Sequence, residues 1–430
     1  MRERTSAPTG AAERPRLRRD DPVYWLTTLF VISIVLMRFA ALPNAPITLT
    51  TALIFVFCYF AYRQHILTIE PGRFQLWLAA AGLSAVLPLV QLPLVPTVNF
   101  SFSSWALWHV LWLPAVFRIT DPSPSAYLRT CRSVSWAGFG FALLSLTFLG
   151  SQAAGIPYRD YFADFVPRPL QVIGFATTVP ITWGNPIHKS NAWVALEPSF
   201  VSFILGATLL AALISGQRWW VSVTIIAGLL SSFAGSGLAL LALAAVIMLL
   251  SGQLLRYSRA LLAGAVIFAL SYFTPVGTVV FSRVDEVSQD QSSTALRATL
   301  PYEVLVPEYL QSLPGMIFGY GAGSSRQVVD GMAIPGLLVP NPAKLIFDYG
   351  LLVGALLILV VVAIHLQSPA PAIALPILAS FLFLQAATQP MITVLLVLAT
   401  WWAPSAFQFP RDEGRLTEAA DWKPPYAASR

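Results

Sequence analysis

The stretch that decides the fold is PVYWLTTLFVISIVLMRFAAL, residues 22–42, because it is apolar over nearly its whole length. A run of eighteen or more apolar residues is typical of a helix that spans a membrane. It follows the polar, basic segment MRERTSAPTGAAERPRLRRDD, residues 1–21. The apolar run is longer than the core of a secretory signal peptide and lacks a small-residue cleavage site. We therefore expect a cytoplasmic N-terminal tail followed by a first spanning helix.

Apolar runs of similar length recur along the chain, which is 56% hydrophobic and only 11% charged. A typical soluble domain is about 25% charged, so the composition favours a membrane protein. We expect an all-α integral membrane fold with about twelve transmembrane helices and two long extracytoplasmic loops. The expected spans are residues 23–41, 46–62, 74–95, 100–117, 133–151, 192–214, 219–234, 236–251, 260–280, 344–366, 371–388 and 391–409.

The distribution of lysine and arginine predicts the orientation of these spans, because cytoplasmic loops carry an excess of both. With the N-terminus inside, eighteen of the 26 basic residues fall in the tails and inner loops, and seven fall on the outer side. Both tails, residues 1–21 and 411–430, are then cytoplasmic, and residues 22–410 form the membrane domain. The net charge of +6 follows from this asymmetry and requires no nucleic-acid partner.

Two long segments are expected on the outer side, at about 152–191 and 281–343. Connections of this length are more often functional than idle. Arginine matches phosphate oxygens with a rigid, permanently charged fork of donors, so the two segments are candidates to hold one diphosphate. The alternative is that their basic side chains bind lipid headgroups or nearby carboxylates such as Asp160 and Asp285. The basic residues concerned are Arg159, Arg168, Lys189, Arg283, Arg297 and Arg326.

Two candidates for acid–base chemistry lie near the predicted sixth span. Glu197 is expected about two turns into that span, where a carboxylate is costly and usually faces a polar cavity. His188, in WGNPIHKSN, has an ordinary pKa near working pH and so suits proton transfer from a sugar hydroxyl. The alternatives are a structural salt bridge or capping group for Glu197 and a solvated loop side chain for His188.

The second long segment ends in two patterns that favour contact with an anion. GYGAGSSRQ, residues 319–327, does not lie between a strand and a helix, which argues against a dinucleotide fingerprint. It fits a flexible turn whose backbone amides approach an anion, although a plain glycine-rich turn is the alternative. NPAKLIFDYGLLVGALL follows and places Asn341 and Lys344 at the outer interface. Lys344 and Asp348 are spaced i, i+4 and are placed to pair on one helical face.

Several catalytic patterns are missing from the sequence, including Walker A, the serine nucleophile elbow and HExxH. The two cysteines and four histidines lack disulfide or metal-ligand spacing. We therefore expect no metal or cofactor. Chemistry on the outer side, where nucleotides are scarce, requires an activated donor delivered in the membrane.

Three patches occur in order along the chain: LEPSF at 196–200, SSTALR at 292–297 with Arg283 upstream, and GYGAG followed by NPAKLIFDYGLLVGALL. With the twelve-span layout, they resemble the superfamily of O-antigen and exopolysaccharide polymerases and O-antigen ligases, GT-C-like glycosyltransferases of the bacterial envelope. In the ligase branch a histidine commonly precedes the asparagine that corresponds to Asn341, whereas Pro340 stands here. AGSG also replaces a serine–arginine pair of the seventh and eighth spans. Both departures favour a polymerase, and the narrower expectation is one of the xanthan type.

The resemblance implies that the protein polymerises lipid-linked repeat units at the periplasmic face of the bacterial inner membrane. Polyprenyl-diphosphate-linked oligosaccharides are then both donor and acceptor, and membrane lipids, a flippase and a chain-length co-polymerase are further expected partners. The expected catalytic residues are Arg297, Arg283, Glu197 and His188. The expected substrate-binding residues are Arg159, Arg168, Lys189, Arg326, Ser293, Asn341 and Lys344.

Other functions remain open at the level of sequence. The nearest alternative is a transferase of the O-antigen ligase type. A flippase for lipid-linked oligosaccharides belongs to another class, but it calls for polar residues deep within many spans, which are lacking here. A different lipid-sugar-dependent glycosyltransferase and a non-enzymatic scaffold are less consistent with the outer arginines.

Overall fold

The computed structural model describes residues 21–43, 47–95, 98–181, 184–250, 296, 299–332, 334, 337, 339–383 and 389–402. Several predicted features lie outside these residues, so the predictions about them stay predictions. They are the ninth span at 260–280, Arg283, Ser293, Arg297, the C-terminal tail and all but the last residue of the N-terminal tail.

The described chain is mostly helical and includes one pair of short strands. Up to residue 250 the elements are α1 (Pro22–Val35), α2 (Leu49–Arg63), β1 (Leu67–Ile69), α3 (Pro71–Leu94), α4 (Phe102–Trp112), β2 (Phe117–Ile119), α5 (Pro124–Ala153), α6 (Tyr161–Phe165), α7 (Pro198–Ile214), α8 (Trp219–Ser231) and α9 (Ser236–Leu250). After residue 298 they are α10 (Leu300–Tyr309), α11 (Leu313–Phe318), α12 (Ser324–Gly331), α13 (Asn341–Leu366), α14 (Pro371–Phe383) and α15 (Gln389–Leu395). Short 3₁₀ turns at Leu113–Val116 and Arg168–Leu170 and a π-helical turn at Leu396–Thr400 complete the list.

Helical segments lie at eleven of the twelve predicted spans, the ninth being outside the described residues. Three helices, α3, α5 and α13, are long and apolar enough to cross a membrane. The other apolar helices have 10–17 residues, and at about 1.5 Å per residue they are shorter than a bilayer core of about 30 Å. The described part of the chain is therefore mostly helical with three candidate membrane spans, and the number twelve stays a prediction.

Proline and capping side chains explain where several helices begin. Proline suits the first helical position because its missing N–H would have no partner there. In α1, Asp21 accepts a hydrogen bond from the Val23 N–H at 3.0 Å. In α5, Ser123 accepts one from the Ala126 N–H at 3.1 Å. Both caps satisfy amides that the helix leaves unpaired.

Helix α7 forms the centre of the packing, and nearly all of its side chains are buried. It is in contact with α5, α8 and α9 through small residues. A Cβ atom on Gly237 of α9 would lie 2.0 Å from the carbonyl oxygen of Ser202 in α7. A Cβ on Gly228 of α8 would lie 2.6 Å from the Cβ of Ala142 in α5. Glycine therefore permits the close helix approach that apolar bundles use.

The two strands and Trp401 join distant parts of the chain at one end of the bundle. Strand β1 pairs antiparallel with β2, and Leu67 lies opposite Ile119. The Ile119 N–H donates to the carbonyl of Trp401 at 2.9 Å, and the Trp401 indole N–H donates to the carbonyl of Pro114 at 2.7 Å. The Trp401 ring stacks on Phe57 with centroids 5.6 Å apart. We call these contacts of Trp401 the Trp401 clasp and the whole region the strand end.

Arg73, at the start of α3, is buried at the strand end with 3% of its surface exposed. Its guanidinium donates to the carbonyls of Thr400 at 2.5 Å and Ala115 at 3.3 Å, and to the side chain of Gln367 at 2.8 Å. These groups lie at the C-terminal ends of three helical segments, where the helix dipole favours a cation. Arg73 thereby ties α3 to the last helices of the described chain.

The segment between α5 and α7, residues 154–197, lies at the opposite end from the strands. Helix α1 begins beside Arg129 of α5, which pairs with Asp21 at 3.6 Å, and it ends near this segment. The bridge pair of Phe39 and Gln171 marks that second contact. We call this the loop end, and it carries the first group of predicted site residues.

Candidate functional site

The segment at the loop end is fixed to the turn that follows α1 by a buried ion pair between Arg38 and Asp160. Both guanidinium Nη atoms meet the carboxylate, at 2.8 and 2.6 Å. Arg38 is only 4% exposed, and its guanidinium lies 4.4 Å from the ring centroid of Phe162. Burial acts to raise the pKa of Asp160, but the hydrogen bonds and positive charge of Arg38 outweigh it and hold that pKa below its ordinary value. The expectation that Arg38 lies within the first span was wrong, because α1 ends at Val35.

A strained turn at Ser190–Trp193 lies directly against this pair. The backbone φ angles of Ala192 and Trp193 are +51° and +66°, a region that residues other than glycine seldom adopt. Asn191 holds the turn, because its side chain accepts from the Trp193 N–H at 2.9 Å and donates to the Tyr158 hydroxyl at 3.2 Å. The Trp193 carbonyl in turn accepts from Arg38 at 3.3 Å. We call Arg38, Tyr158, Asp160, Asn191 and Trp193 the loop cluster.

Aromatic rings surround the loop cluster. The centroid of Phe148 lies 4.9 Å from Tyr158 and 5.0 Å from Trp193. Tyr161 lies 6.1 Å from Trp193 with ring planes 34° apart. Burial is the main reason that the pKa of Tyr158 is raised, so this hydroxyl stays protonated and neutral at working pH. The cluster therefore offers ring faces and neutral donors next to one charged pair.

Glu197 lies beside the loop cluster and immediately before α7. The helix begins at Pro198, so the prediction that Glu197 lies two turns inside a span was wrong. One carboxylate oxygen accepts from the Ala176 N–H at 3.1 Å, and the other accepts from the Ser199 hydroxyl at 3.1 Å. The side chain is half-buried. Glu197 is thus a carboxylate in a fixed position that retains acceptor capacity.

His188 and Lys189 occupy the strand-like stretch before the strained turn. The backbone of His188 is held from both sides by Gln152, through hydrogen bonds of 2.8 and 3.1 Å. Its ring lies 5.5 Å from that of Tyr158, and its buried Nδ1 has no hydrogen-bond partner in the described part of the chain. Lys189 is half-buried, and its N–H donates to the Val179 carbonyl at 2.8 Å.

The two arginines of the first segment are at the surface. Arg159 pairs with Asp164 at 2.5 Å, and the two side chains are 69% and 40% exposed. Arg168 is exposed at the start of its 3₁₀ turn. Salt bridges at such positions are weak, so Arg159 remains able to exchange Asp164 for another anion or a hydroxyl.

The glycine-rich turn of the second segment is built around the buried carboxyl group of Asp348. Gly319, Gly321 and Gly323 all have positive φ, and a Cβ on Gly319 would lie 2.4 Å from the backbone nitrogen of Gly350. The carboxylate of Asp348 accepts from the N–H groups of Gly323 at 2.9 Å and Ser325 at 2.8 Å. The Asp348 side chain of α13 thus occupies the amides of Gly323 and Ser325, and contact between this turn and an anion of a substrate stays a prediction.

The other candidates of the second segment have partners that stabilise the fold. Lys344 is near enough for its charge to act on Asp348, as the i, i+4 spacing predicts, but no close ion pair joins the two side chains among the described residues. The Asn341 amide donates to the carbonyl of Phe381 at 2.8 Å, which ties α13 to α14. Arg326 is exposed and pairs with Asp330 at 2.9 Å.

The structure thus groups the candidates by segment. Tyr158 and Ala176 connect Glu197, His188 and Arg159 to the loop cluster. Arg326, Asn341 and Lys344 belong to α12 and α13, and their convergence with the first segment stays a prediction. Sequence reasoning missed the pair of Arg38 and Asp160 as a site element. An arginine that interrupts an apolar run was the available signal, because such a charge needs a partner.

No protein-family model matches this chain, and no curated protein matches it significantly in sequence.

Proposed function

We propose that this chain is a membrane glycosyltransferase that polymerises lipid-linked oligosaccharide repeat units into exopolysaccharide or O-antigen. The observation that carries the proposal is the loop cluster with Glu197, a fixed polar site at the end of an apolar helical bundle opposite the strand end. The order of the three sequence patches and the few basic residues of the outer segments support it from the sequence. The proposed location is the periplasmic face of the bacterial inner membrane.

In the proposed reaction, a growing glycan on one polyprenyl diphosphate is transferred to a repeat unit on a second one. A hydroxyl at the far end of the new unit attacks the anomeric carbon of the donor. The bond from that carbon to the diphosphate oxygen breaks, and the diphosphate leaves with the electron pair. One glycosidic bond forms and one glycosyl–phosphate bond breaks, so no nucleotide is needed.

Glu197 is the first choice to accept the proton of the attacking hydroxyl. Its carboxylate is held by Ala176 and Ser199 and still has free lone pairs, which is the geometry a general base or an orienting group requires. His188, whose side chain is half-buried, is the second choice. Arg283 and Arg297 would bind the departing diphosphate, and losing one such fixed donor typically costs about 10²–10³-fold in rate.

The remaining basic residues serve binding in this proposal. Arg159 and Arg168 are exposed on the first segment and would contact the glycan or its phosphates. The lipid-linked donor and acceptor are the only substrates required. A flippase that supplies repeats and a co-polymerase that sets chain length are the proposed partners.

The deciding experiment is genetic and chemical, in the native host. Glu197→Ala, Glu197→Gln, Arg297→Ala and Arg283→Ala are each expected to abolish long polymer while single lipid-linked repeats accumulate in the outer leaflet. Arg63→Ala, at an exposed site on α2, is the control expected to leave polymer unchanged. Loss of repeats from the outer leaflet would indicate flipping instead. Single repeats that accumulate with intact polymer on an intermediate carrier would indicate a ligase, and normal polymer in all four variants would exclude these residues.

A further inference from the structure

The backbone at Trp193 is strained, and packing of the hydrophobic core does not explain this strain. Two successive non-glycine residues, Ala192 and Trp193, lie in the left-handed region, and such residues cost on the order of 1–3 kcal/mol each. This strain persists only where surrounding bonds over-determine it, and Asn191 and Arg38 supply those bonds. Because the Trp193 ring is only half-buried, the strain serves to place the indole rather than to fill the interior.

The indole of Trp193 and the ring of Tyr161 form an open two-ring surface. Tyr161 is 48% exposed, and the two planes are inclined by only 34° with centroids 6.1 Å apart. The rings of Phe148 and Tyr158 also contact Trp193, with centroids 5.0 and 6.1 Å away. Aromatic faces are electron-rich and apolar, so they complement the electropositive C–H face of a pyranose ring.

Polar side chains border the same surface. The guanidinium carbon of Arg159 lies 5.9 Å from the Tyr161 ring centroid, and Arg159 is paired with Asp164. Sugar hydroxyl groups both donate and accept hydrogen bonds. A guanidinium supplies donors only and a carboxylate supplies acceptors only, so this exposed pair meets both needs next to the Tyr161 ring. An acyl chain would use neither group.

We propose that Tyr161 and Trp193 form a carbohydrate-binding surface that stacks a sugar ring of the glycan, with Arg159 and Asp164 bonding its hydroxyls. That the sugar belongs to a lipid-linked repeat rests on the proposed function, whereas the surface itself rests on the geometry. Glu197 is connected to this surface through the backbone of Ala176 and Thr177, whose carbonyl accepts from Asn191 at 3.1 Å. The surface and the proposed base are therefore held in a fixed relation by this run of hydrogen bonds.

The direct test is photo-crosslinking of the full chain in cells of the native host. Benzoylphenylalanine replaces Tyr161, the cells are irradiated, and the purified protein is digested and its adduct identified by mass spectrometry and carbohydrate staining. The matched control places the same probe at Trp136, a 44% exposed ring of α5 that contacts Phe139 and Trp220. We expect a carbohydrate adduct at 161 and none at 136. A phospholipid adduct at 161, or no carbohydrate there, would overturn the proposal.

A second variant pair separates ring stacking from folding. In the probe-bearing chain, Trp193→Gly removes the indole and suits the positive φ, whereas Trp193→Phe keeps an aromatic face. Stacking energies of aromatic pairs predict that the glycine variant loses up to about tenfold of the carbohydrate adduct, with the phenylalanine variant close to the parent. Equal yields in both variants, at matched melting temperatures, would show that Trp193 does not bind the sugar.

The two proposals fail in different ways. A carbohydrate adduct at 161 in a host that still makes polymer when the gene for this chain is deleted would keep the binding surface and reject the polymerase. Accumulated single repeats in the deletion strain, with no adduct at 161 in the parent, would keep the polymerase and reject the surface.

Discussion

At the scale of single residues, the guanidinium of Arg38 is a buried charge that is balanced by one carboxylate, that of Asp160. Asp160→Asn leaves the 4% exposed guanidinium without its counter-charge, which is expected to cost about 3–5 kcal/mol. We expect a marked fall in the melting temperature of the purified protein in detergent. Asp164→Asn, in the exposed pair with Arg159, is the control and should lower the melting temperature far less, because exposed salt bridges are weak. Equal effects of the two substitutions would contradict the structure.

The same pair predicts a dependence on pH. Arg38 lowers the pKa of Asp160 in the folded state, so the unfolded state binds the proton more readily. The stabilisation is complete above the unfolded pKa of about 3.9 and is lost as pH falls through the lower folded value. The difference in melting temperature between the parent and Asp160→Asn should therefore be constant at neutral pH and shrink below about pH 4. A difference that shrinks as pH rises would rule out this account.

For Glu197 and Asp348, the sequence predicted the region of the chain that matters better than it predicted the contacts of each side chain. Glu197 next to Pro198 was expected inside a span, although proline at a first helical position is a start signal and would have placed Glu197 at the cap. Asp348 was expected to pair with Lys344 because the i, i+4 rule considers only side chains within one helix. The amides that donate to Asp348 belong to Gly323 and Ser325, more than twenty residues earlier. Sequence patterns do not predict how the intervening turn brings them to the carboxyl group. Partner choice over such distances depends on tertiary structure.

At the scale of elements, the crossing of the glycine turn with α13 depends on Gly350. This residue has φ of +73°, and a Cβ on it would lie 2.2 Å from the carbonyl oxygen of Ile317. We expect Gly350→Ala to abolish accumulation of folded protein. Gly155→Ala is the matched control, because Gly155 also has positive φ but a Cβ on it would meet no atom within 4 Å, so it should cost only about 1 kcal/mol. Comparable expression and melting temperatures would refute the close crossing.

The strand end offers a second test of helix contacts. Arg73→Leu removes the cation that pairs with the ends of three helical segments and leaves buried carbonyls without donors, at an expected cost of about 3 kcal/mol. Arg63→Leu, at an exposed site on α2, should change the melting temperature little. An Arg73 variant as stable as the Arg63 variant would mean that these carbonyls find other donors.

The positions of the helices were largely predictable from hydropathy, because a helix buried in apolar surroundings must itself be apolar. Their lengths were not. Helix α1 stops at Val35 although its apolar run continues, since the following residues turn to bring Arg38 to Asp160. Helix α5 instead begins nine residues before the predicted span, at Pro124 behind the Ser123 cap.

At the scale of the whole molecule, the separation of the strand end from the loop end predicts opposite accessibility across a membrane. Asp121→Cys, next to β2, and Ala163→Cys, in α6, both place a thiol at an exposed position, while Cys58 and Cys131 are buried. In intact cells, a membrane-impermeant maleimide should label the cysteine at 163 and reach the one at 121 only after permeabilisation. Labelling of both from one side would remove the basis for an outer active face.

The Trp401 clasp delays the packing of the N-terminal residues, because Trp401 is synthesised long after them. The last described helical residues supply partners for Phe57, Arg73, Pro114 and Ile119, so the first third of the chain cannot complete its packing until residue 401 has left the ribosome. Contacts so distant in sequence form slowly. A nascent chain would therefore expose unmatched surfaces through most of translation, and insertion machinery or chaperones must shield them until the final turn arrives.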